Sequence, residues 1–115
     1  MTSDDIATIL GRWRDGALDA PGVKAWLEGA GGVAALHSGT RSPASALAPA
    51  AREALHALDL LEVHLLTADD VPALLALLHG GAGAIASWTR YRDAIDLDAR
   101  SRTLKRNRFY RPFCR

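Results

Sequence analysis

The chain has 115 residues, the length of one domain and too short for two ordinary hydrophobic cores. Fourteen Lys and Arg against 13 Asp and Glu leave a formal net charge of +1, which excludes a uniformly polycationic or polyanionic protein. An apolar fraction of 49% argues against a chain that is disordered throughout. The single cysteine, Cys114, excludes an internal disulfide and a zinc site built from cysteines.

The N-terminal sequence favours a cytoplasmic location. Residues 1–5 are acidic where a secretory signal would be basic, and no apolar run follows them. No stretch approaches the ~20 apolar residues that are needed to cross a bilayer. We therefore expect a cytoplasmic protein that makes no use of a membrane.

The choice of apolar residues predicts an all-α fold. Alanine and leucine supply 22 and 17 of the 56 apolar residues, whereas valine and isoleucine together supply only 8. Strands favour β-branched and aromatic residues, and helices favour alanine and leucine. We expect residues 1–115 to form a single domain, a compact bundle of five or six short helices with antiparallel neighbours.

Helical periodicity and capping residues place the first three elements. The first helix is predicted over 3–16, with Ser3 as its N-cap and an apolar face that includes Trp13. Pro21 marks the start of the second helix. The glycine-containing segment 31–43 is predicted to be an irregular loop, and a third helix follows over 43–61. Pro49 allows that helix to begin nearer residue 48.

The second half of the chain predicts three further helices. An extended connection is expected over 62–66. Thr67 and Asp70 have the spacing of a capping box, so the fourth helix begins at 68–71, before Pro72 becomes an interior residue. The fifth and sixth helices are predicted over 83–94 and 98–107. In the sixth helix the i,i+4 spacing predicts ion pairs from Asp96 to Arg100 and from Asp98 to Arg102.

The expected core consists of apolar residues that repeat at helical spacing. Its members are Ile6, Leu10, Trp13, Trp26, Leu55, Leu58, Leu74, Leu75, Leu78, Ile85 and Trp88. The C-terminal tail, 108–115, carries three further rings: Phe109, Tyr110 and Phe113. Because free rings in water are unfavourable, we expect 108–113 to be ordered and packed on the bundle. Arg108, Arg111 and Arg115 should then point outward, beside acids of the N-terminal two-thirds.

No pattern of residues predicts catalysis or metal binding. The four histidines lack the spacing of a metal site; they are His37, His56, His64 and His79. No serine lies in a Gly-x-Ser-x-Gly turn, and the adjacent acids Asp69 and Asp70 are read as helix-capping residues. We expect no enzymatic activity, no cofactor and no metal.

Charge is strongly segregated along the chain. Residues 1–85 contain 5 basic and 10 acidic side chains, whereas residues 86–115 contain 9 basic and 3 acidic ones. Five of the seven aromatic residues lie in this basic third. The segment could pack on the acidic body, bind an acidic protein, or bind nucleic acid through phosphate contacts and base stacking. The candidate partner-binding residues are Arg100, Arg102, Lys105, Arg106, Arg108, Tyr110 and Arg111.

Three motifs stand out along the chain: Ile9-Leu10-x-x-Trp13-x-x-Gly16 with Val23-x-x-Trp26, Leu66-Thr67-Ala68-Asp69-Asp70-Val71-Pro72-x-Leu74-Leu75-x-Leu77-Leu78, and Trp88-x-x-Tyr91-x-x-x-Ile95-Asp96-x-x-x-Arg100. They resemble those of a small bacterial family of helical proteins, some of which are similar to the immunity proteins of toxin systems. The glycine-rich 29–32 and the basic-aromatic tail depart from this pattern. The resemblance implies a helical protein of bacterial origin and supplies no catalytic residue.

These observations favour a non-enzymatic protein-binding module of immunity or regulatory type, with an acidic partner protein. The alternative is a nucleic-acid-binding protein that uses the basic-aromatic C-terminal segment. A steep loss of affinity with salt would be expected for phosphate contacts.

Overall fold

The computed structural model describes residues 2–29 and 47–115. Within them the chain forms an all-α domain without a strand, which confirms the predicted fold class. The helices are α1 (Ser3–Arg14), α2 (Ala20–Gly29), α3 (Pro49–Asp59), α4 (Val71–His79), α5 (Ala84–Asp93) and α6 (Leu97–Leu104). Single 3₁₀ turns cover Ala68–Asp70 and Arg111–Phe113. The predicted loop 31–43 and residues 43–46 of the predicted third helix lie outside the described residues.

The N-cap of α1 lies one residue earlier than predicted and belongs to a capping box. The cap is Thr2 rather than Ser3: its hydroxyl oxygen accepts a hydrogen bond from the backbone N–H of Asp5 at 3.3 Å. In return, Oδ2 of Asp5 accepts from the N–H of Thr2 at 2.8 Å. This reciprocal pairing satisfies two backbone donors that a helix end otherwise leaves open.

Helix α4 lies at the centre of the bundle, in contact with α1, α3 and α5. Four of its nine residues are buried apolar side chains. The core that surrounds them contains Ile6, Ile9, Leu10, Trp13, Val23, Leu27, Leu55, Leu58, Leu61, Leu65, Leu66, Val71, Leu74, Leu77, Leu78, Trp88 and Tyr110, with four alanines. Most of the predicted core residues are among them.

The prediction that Ile85 is a core residue is wrong, and Trp26 and Leu75 are only partly buried. Ile85 is 38% exposed, whereas Trp88 is 2% exposed. A helix turns about 100° per residue, so positions three apart point about 60° from one another. Of the series Ile85, Trp88 and Tyr91, only the middle residue therefore faces the core squarely.

The connection between α3 and α4 is a series of turns and not the extended segment that the sequence predicts. The N–H of Leu66 donates to the carbonyl of Leu61 at 2.8 Å, and Leu65 has a positive φ of 54°. These turns allow Leu61, Leu65 and Leu66 to be buried together, which an extended segment of alternating faces would not. Burial of three leucines explains the departure.

The turn before α4 contains the predicted capping box. Oδ2 of Asp70 accepts a hydrogen bond from the N–H of Thr67 at 2.8 Å, and the hydroxyl of Thr67 accepts from the N–H of Asp69 at 3.3 Å. Helix α4 then starts at Val71, at the edge of the predicted 68–71 interval. Across the described residues, no helix has both the length and the apolar character required to span a membrane.

Candidate functional site

Asp70 is completely buried and lies at the centre of a charged hydrogen-bond network that we call the Asp70 network (Asp70, Tyr91 and Arg100). The Arg100 guanidinium donates to both carboxylate oxygens, from Nη1 to Oδ2 at 2.5 Å and from Nη2 to Oδ1 at 2.8 Å. The hydroxyl of Tyr91 donates to Oδ1 at 2.5 Å. With the bond from the N–H of Thr67, the carboxylate accepts four hydrogen bonds, so its burial is fully compensated.

Two backbone carbonyls of the α3–α4 connection extend the network to the end of the chain. Nη1 of Arg100 also donates to the carbonyl of Leu65 at 3.0 Å, and the hydroxyl of Tyr110 donates to the carbonyl of Leu66 at 2.5 Å. Leu65 is the residue with positive φ. Side chains from α5, α6 and the tail thus converge on the segment that leads into α4.

The electrostatics of the network favour the ionised pair. Burial alone would raise the pKa of Asp70, but the hydrogen bonds from Arg100, Tyr91 and the backbone of Thr67 outweigh it and lower that pKa. The hydrogen bond to Asp70 raises the pKa of Arg100 despite its partial burial. Burial and the neighbouring carboxylate raise the pKa of Tyr91, so its hydroxyl keeps the proton that it donates. Burial likewise raises the pKa of Tyr110.

The predicted i,i+4 ion pairs of α6 are wrong within the described residues. Arg100 pairs with Asp70, thirty residues earlier, and not with Asp96. Asp96 instead caps α6, because its Oδ1 accepts from the N–H of Ala99 at 2.9 Å. Asp98 lies 4.0 Å from Nη1 of Arg115 rather than beside Arg102. A buried carboxylate with a bidentate guanidinium is a stronger attraction than an exposed local pair.

Two of the seven predicted partner-binding residues are therefore held inside the fold. Arg100 is committed to Asp70, and Tyr110 is 3% exposed with its hydroxyl bonded to the backbone. Local spacing in the sequence gives no signal of these contacts, because Arg100 lies thirty residues from Asp70 and Tyr110 lies 44 residues from Leu66. Tyr110 is therefore buried, whereas the Arg100 side chain keeps 24% of its surface exposed beside its pairing with Asp70.

The other five predicted residues form what we call the cationic surface: Arg102, Lys105, Arg106, Arg108 and Arg111. All five are exposed, and none is in a salt bridge with a described residue. Nε of Arg111 donates to the backbone carbonyl of Lys105 at 3.1 Å, which places the Arg111 guanidinium beside the end of α6. Arg111 and Lys105 are thus held close together, and no acid of the described residues pairs with either of them.

The tail packs differently from the prediction at one ring. Tyr110 is buried, and Phe109 is partly buried with its ring edge-on to Tyr110 at a centroid distance of 5.2 Å. Phe113, however, is 42% exposed. Arg115 lies beside Asp98, an acid of the C-terminal third and not of the N-terminal two-thirds as predicted. That residues 108–113 are ordered stays a prediction.

Two further groups of titratable side chains lie outside the Asp70 network. Burial, then the charges of Arg92 and His56, lower the pKa of His64, and no acid among the described residues forms an ion pair with it. Lys24 bridges Asp59 and Glu62 at 3.6 Å and 3.3 Å, an ion-pair cluster that joins α2 to the end of α3. Among residues 2–29 and 47–115 no group of His, Cys, Asp or Glu could hold a metal ion. His37 lies outside those residues.

A cleft of about 620 Å³ lies between α4 and α5 and around the loop that joins them. Its walls are small residues together with Leu77, Trp88 and Tyr91, and Arg90 is the one charged residue that lines it. The indole ring of Trp88 and the phenol ring of Tyr91 are stacked, with their centroids 5.7 Å apart. Ser87 and Tyr91 also line the cleft, and no described His, Cys, Asp or Glu does.

Comparison of the chain with protein-family models, with curated proteins and with solved structures finds no match. The function must therefore be argued from the residues and their geometry.

Proposed function

We propose that this protein is a non-enzymatic binding module whose cationic surface docks an acidic partner protein. The observation that carries the proposal is the set of five exposed cationic side chains on α6, the turn after it and the tail, none of which pairs with an acid among the described residues. Uncompensated charge of one sign attracts and orients a partner of the opposite sign.

The burial of the tail rings supports a protein partner over nucleic acid. Single-stranded nucleic acid is bound by stacking bases on exposed aromatic rings, in addition to phosphate contacts. Tyr110 is buried and Phe109 is partly buried, which leaves Phe113 as the exposed ring of the tail. A cationic surface with few exposed aromatic rings is better suited to binding carboxylates than to stacking nucleic-acid bases.

The state of the titratable groups supports a binding role over catalysis. Asp70 and Arg100 form a bidentate pair in which their mutual hydrogen bonds help to lower the pKa of Asp70 and raise the pKa of Arg100. Asp70 has no exposed surface with which to reach a substrate. Perturbed groups of this kind are as typical of structural ion pairs as of active sites.

The finer parts of the proposal rest on the sequence. Resemblance of the three motifs to a bacterial helical family favours a bacterial protein of immunity or regulatory type. A cytoplasmic location is part of the same proposal. In an immunity protein, the partner would be a toxin domain with an acidic surface.

Capture experiments with matched charge variants test this proposal. The full chain, an R102E/K105E/R106E variant and an R12E/R14E/R52E control are immobilised and exposed to a nuclease-treated bacterial lysate. Both variants have the same formal net charge, and the control residues are exposed cations outside the C-terminal third. We expect an acidic protein to be retained by the wild type and the control, to be lost from the R102E/K105E/R106E variant, and to elute with salt.

Three results would contradict the proposal. Equal capture by all three baits would show that the cationic surface is not the binding site. Capture of no protein at low salt would argue against a protein partner altogether. Capture from a parallel untreated lysate that is absent from the nuclease-treated one, together with a gel shift of DNA or RNA at low salt, would favour the nucleic-acid alternative.

A further inference from the structure

Phe113 is an exposed aromatic ring within the cationic region. It is 42% exposed, and Arg111 in the same turn is an exposed cation, while Arg115, two residues further on, lies beside Asp98. Among the described residues, the other large exposed apolar side chains are Val63, Ile85 and Tyr91, and none of the three belongs to α6 or the tail. A single exposed ring is common on protein surfaces, so its support by the backbone decides whether it is significant.

Hydrogen bonds fasten the backbone on both sides of Phe113. Its N–H donates to the carbonyl of Tyr110 at 2.9 Å, and the N–H of Cys114 donates to the carbonyl of Arg111 at 3.2 Å. Tyr110 is itself anchored in the core, and the N–H of Arg115 donates to the hydroxyl of Ser101 at 2.9 Å. Pro112 restricts φ inside the turn. In this arrangement the backbone that carries the ring has little freedom left to lose on binding, which favours affinity.

The Arg111 guanidinium is also held in place. Its Nε donates to the carbonyl of Lys105, so the two terminal nitrogens are the ones left for a carboxylate. Arginine and aromatic residues together are the side chains most enriched in the energetically dominant parts of protein interfaces. Here an aromatic ring and such an arginine lie two residues apart on one turn.

We propose that Phe113 is the apolar anchor of the cationic surface and that the partner presents an apolar recess or side chain bordered by carboxylates. This inference rests on the proposed function and makes it more specific. The partner is an acidic protein segment that contains a large apolar residue, and a purely polyanionic ligand fits the surface less well. Charge complementarity around the ring is what commits the site to this occupant.

The test compares two synthetic peptides of equal length and charge by fluorescence anisotropy. One contains only Glu and Gly, and the other has Leu in place of two central glycines. Covering the exposed 42% of Phe113 should make the Leu peptide bind the wild type roughly three- to ninefold more tightly. Phe113→Ala should abolish this preference, while Ile85→Ala, which truncates a similarly exposed residue on α5, should keep it.

Failure of the inference differs from failure of the proposed function. If both peptides bind the wild type equally, or if the preference survives in F113A, Phe113 is not the anchor although the surface binds acids. If neither peptide binds, or if R102E/K105E/R106E binds as well as the wild type, the proposed function itself fails. A preference that is lost in I85A as well as in F113A would also overturn the assignment to Phe113.

Discussion

Replacing Asp70 by asparagine should destabilise the protein by about 3 kcal/mol. The substitution leaves the buried guanidinium of Arg100 without its counter-charge, and removal of one partner of a buried ion pair typically costs 3–5 kcal/mol. We take the lower end because the Arg100 side chain is 24% exposed and water can partly solvate it. In a domain of this size the melting temperature should fall by roughly 10 °C.

Urea denaturation followed by circular dichroism measures the effect, with Asp69→Asn as the matched control. Asp69 is the adjacent exposed acid, and its side chain accepts no hydrogen bond from a described residue, so its substitution should change the free energy of unfolding by less than about 0.5 kcal/mol. The double variant D70N/R100M should be less destabilised than the sum of its single variants, because both charges are then gone. Equal stability of D70N and D69N would refute the description of the Asp70 network.

The same pair of variants gives a pH test. Because the pKa of Asp70 is lowered by folding, its contribution is complete above the ordinary Asp pKa of 3.8 and is lost as the pH falls below that value. The stability difference between the wild type and D70N should therefore be constant near neutrality and shrink below pH 3.8. A difference that grows on acidification would contradict the lowered pKa.

Three further substitutions test other parts of the fold. Tyr110→Phe leaves the buried carbonyl of Leu66 without its donor and should lower the free energy of unfolding, measured with urea, by about 1–2 kcal/mol. Deletion of 108–115 should lower it further, because the buried ring is lost as well. An unchanged melting temperature after the deletion would show that the tail is free. Leu65→Gly should be less destabilising than Leu65→Ala, the reverse of the usual order, because φ is positive there and glycine avoids a strain of about 1–2 kcal/mol. Burial and then the charge of Arg92 lower the pKa of His64, so its protonation is opposed in the folded state. The wild type should therefore lose stability between pH 7 and 5, and His64→Gln should lose less. Identical profiles of unfolding free energy against pH for the two proteins would contradict this.

Local sequence signals predicted the helices well. Capping residues, prolines and apolar periodicity act within a few residues, so the capping box of Thr67 and Asp70 and the start of α4 were correctly placed. The first cap was assigned to Ser3 instead of Thr2 because both residues can cap a helix, and only the position of Asp5 distinguishes them. Errors of one or two residues at helix ends are the expected limit of such reasoning.

Long-range pairing was beyond local reasoning. Asp96 and Arg100 have a favourable i,i+4 spacing, and nothing in a single sequence reveals that Arg100 instead crosses thirty residues to a buried Asp70. The same limit applies to the tail, where three rings looked equally apolar but the turn buries Tyr110 and exposes Phe113. The basic third was identified correctly as a charged region, while the division between its structural and exposed residues required the fold.

The most direct measurement of the central claim is an NMR titration of the ¹⁵N-labelled full chain with the acidic peptide that contains Leu. We expect the amide shift changes to be concentrated at 102–113, and the amide signals of Asp70, Tyr91 and Arg100 to stay in place. The response should be lost in the R102E/K105E/R106E variant. Shift changes centred on α1, α2 or the α4–α5 cleft, or a response equal in that variant and the wild type, would contradict it.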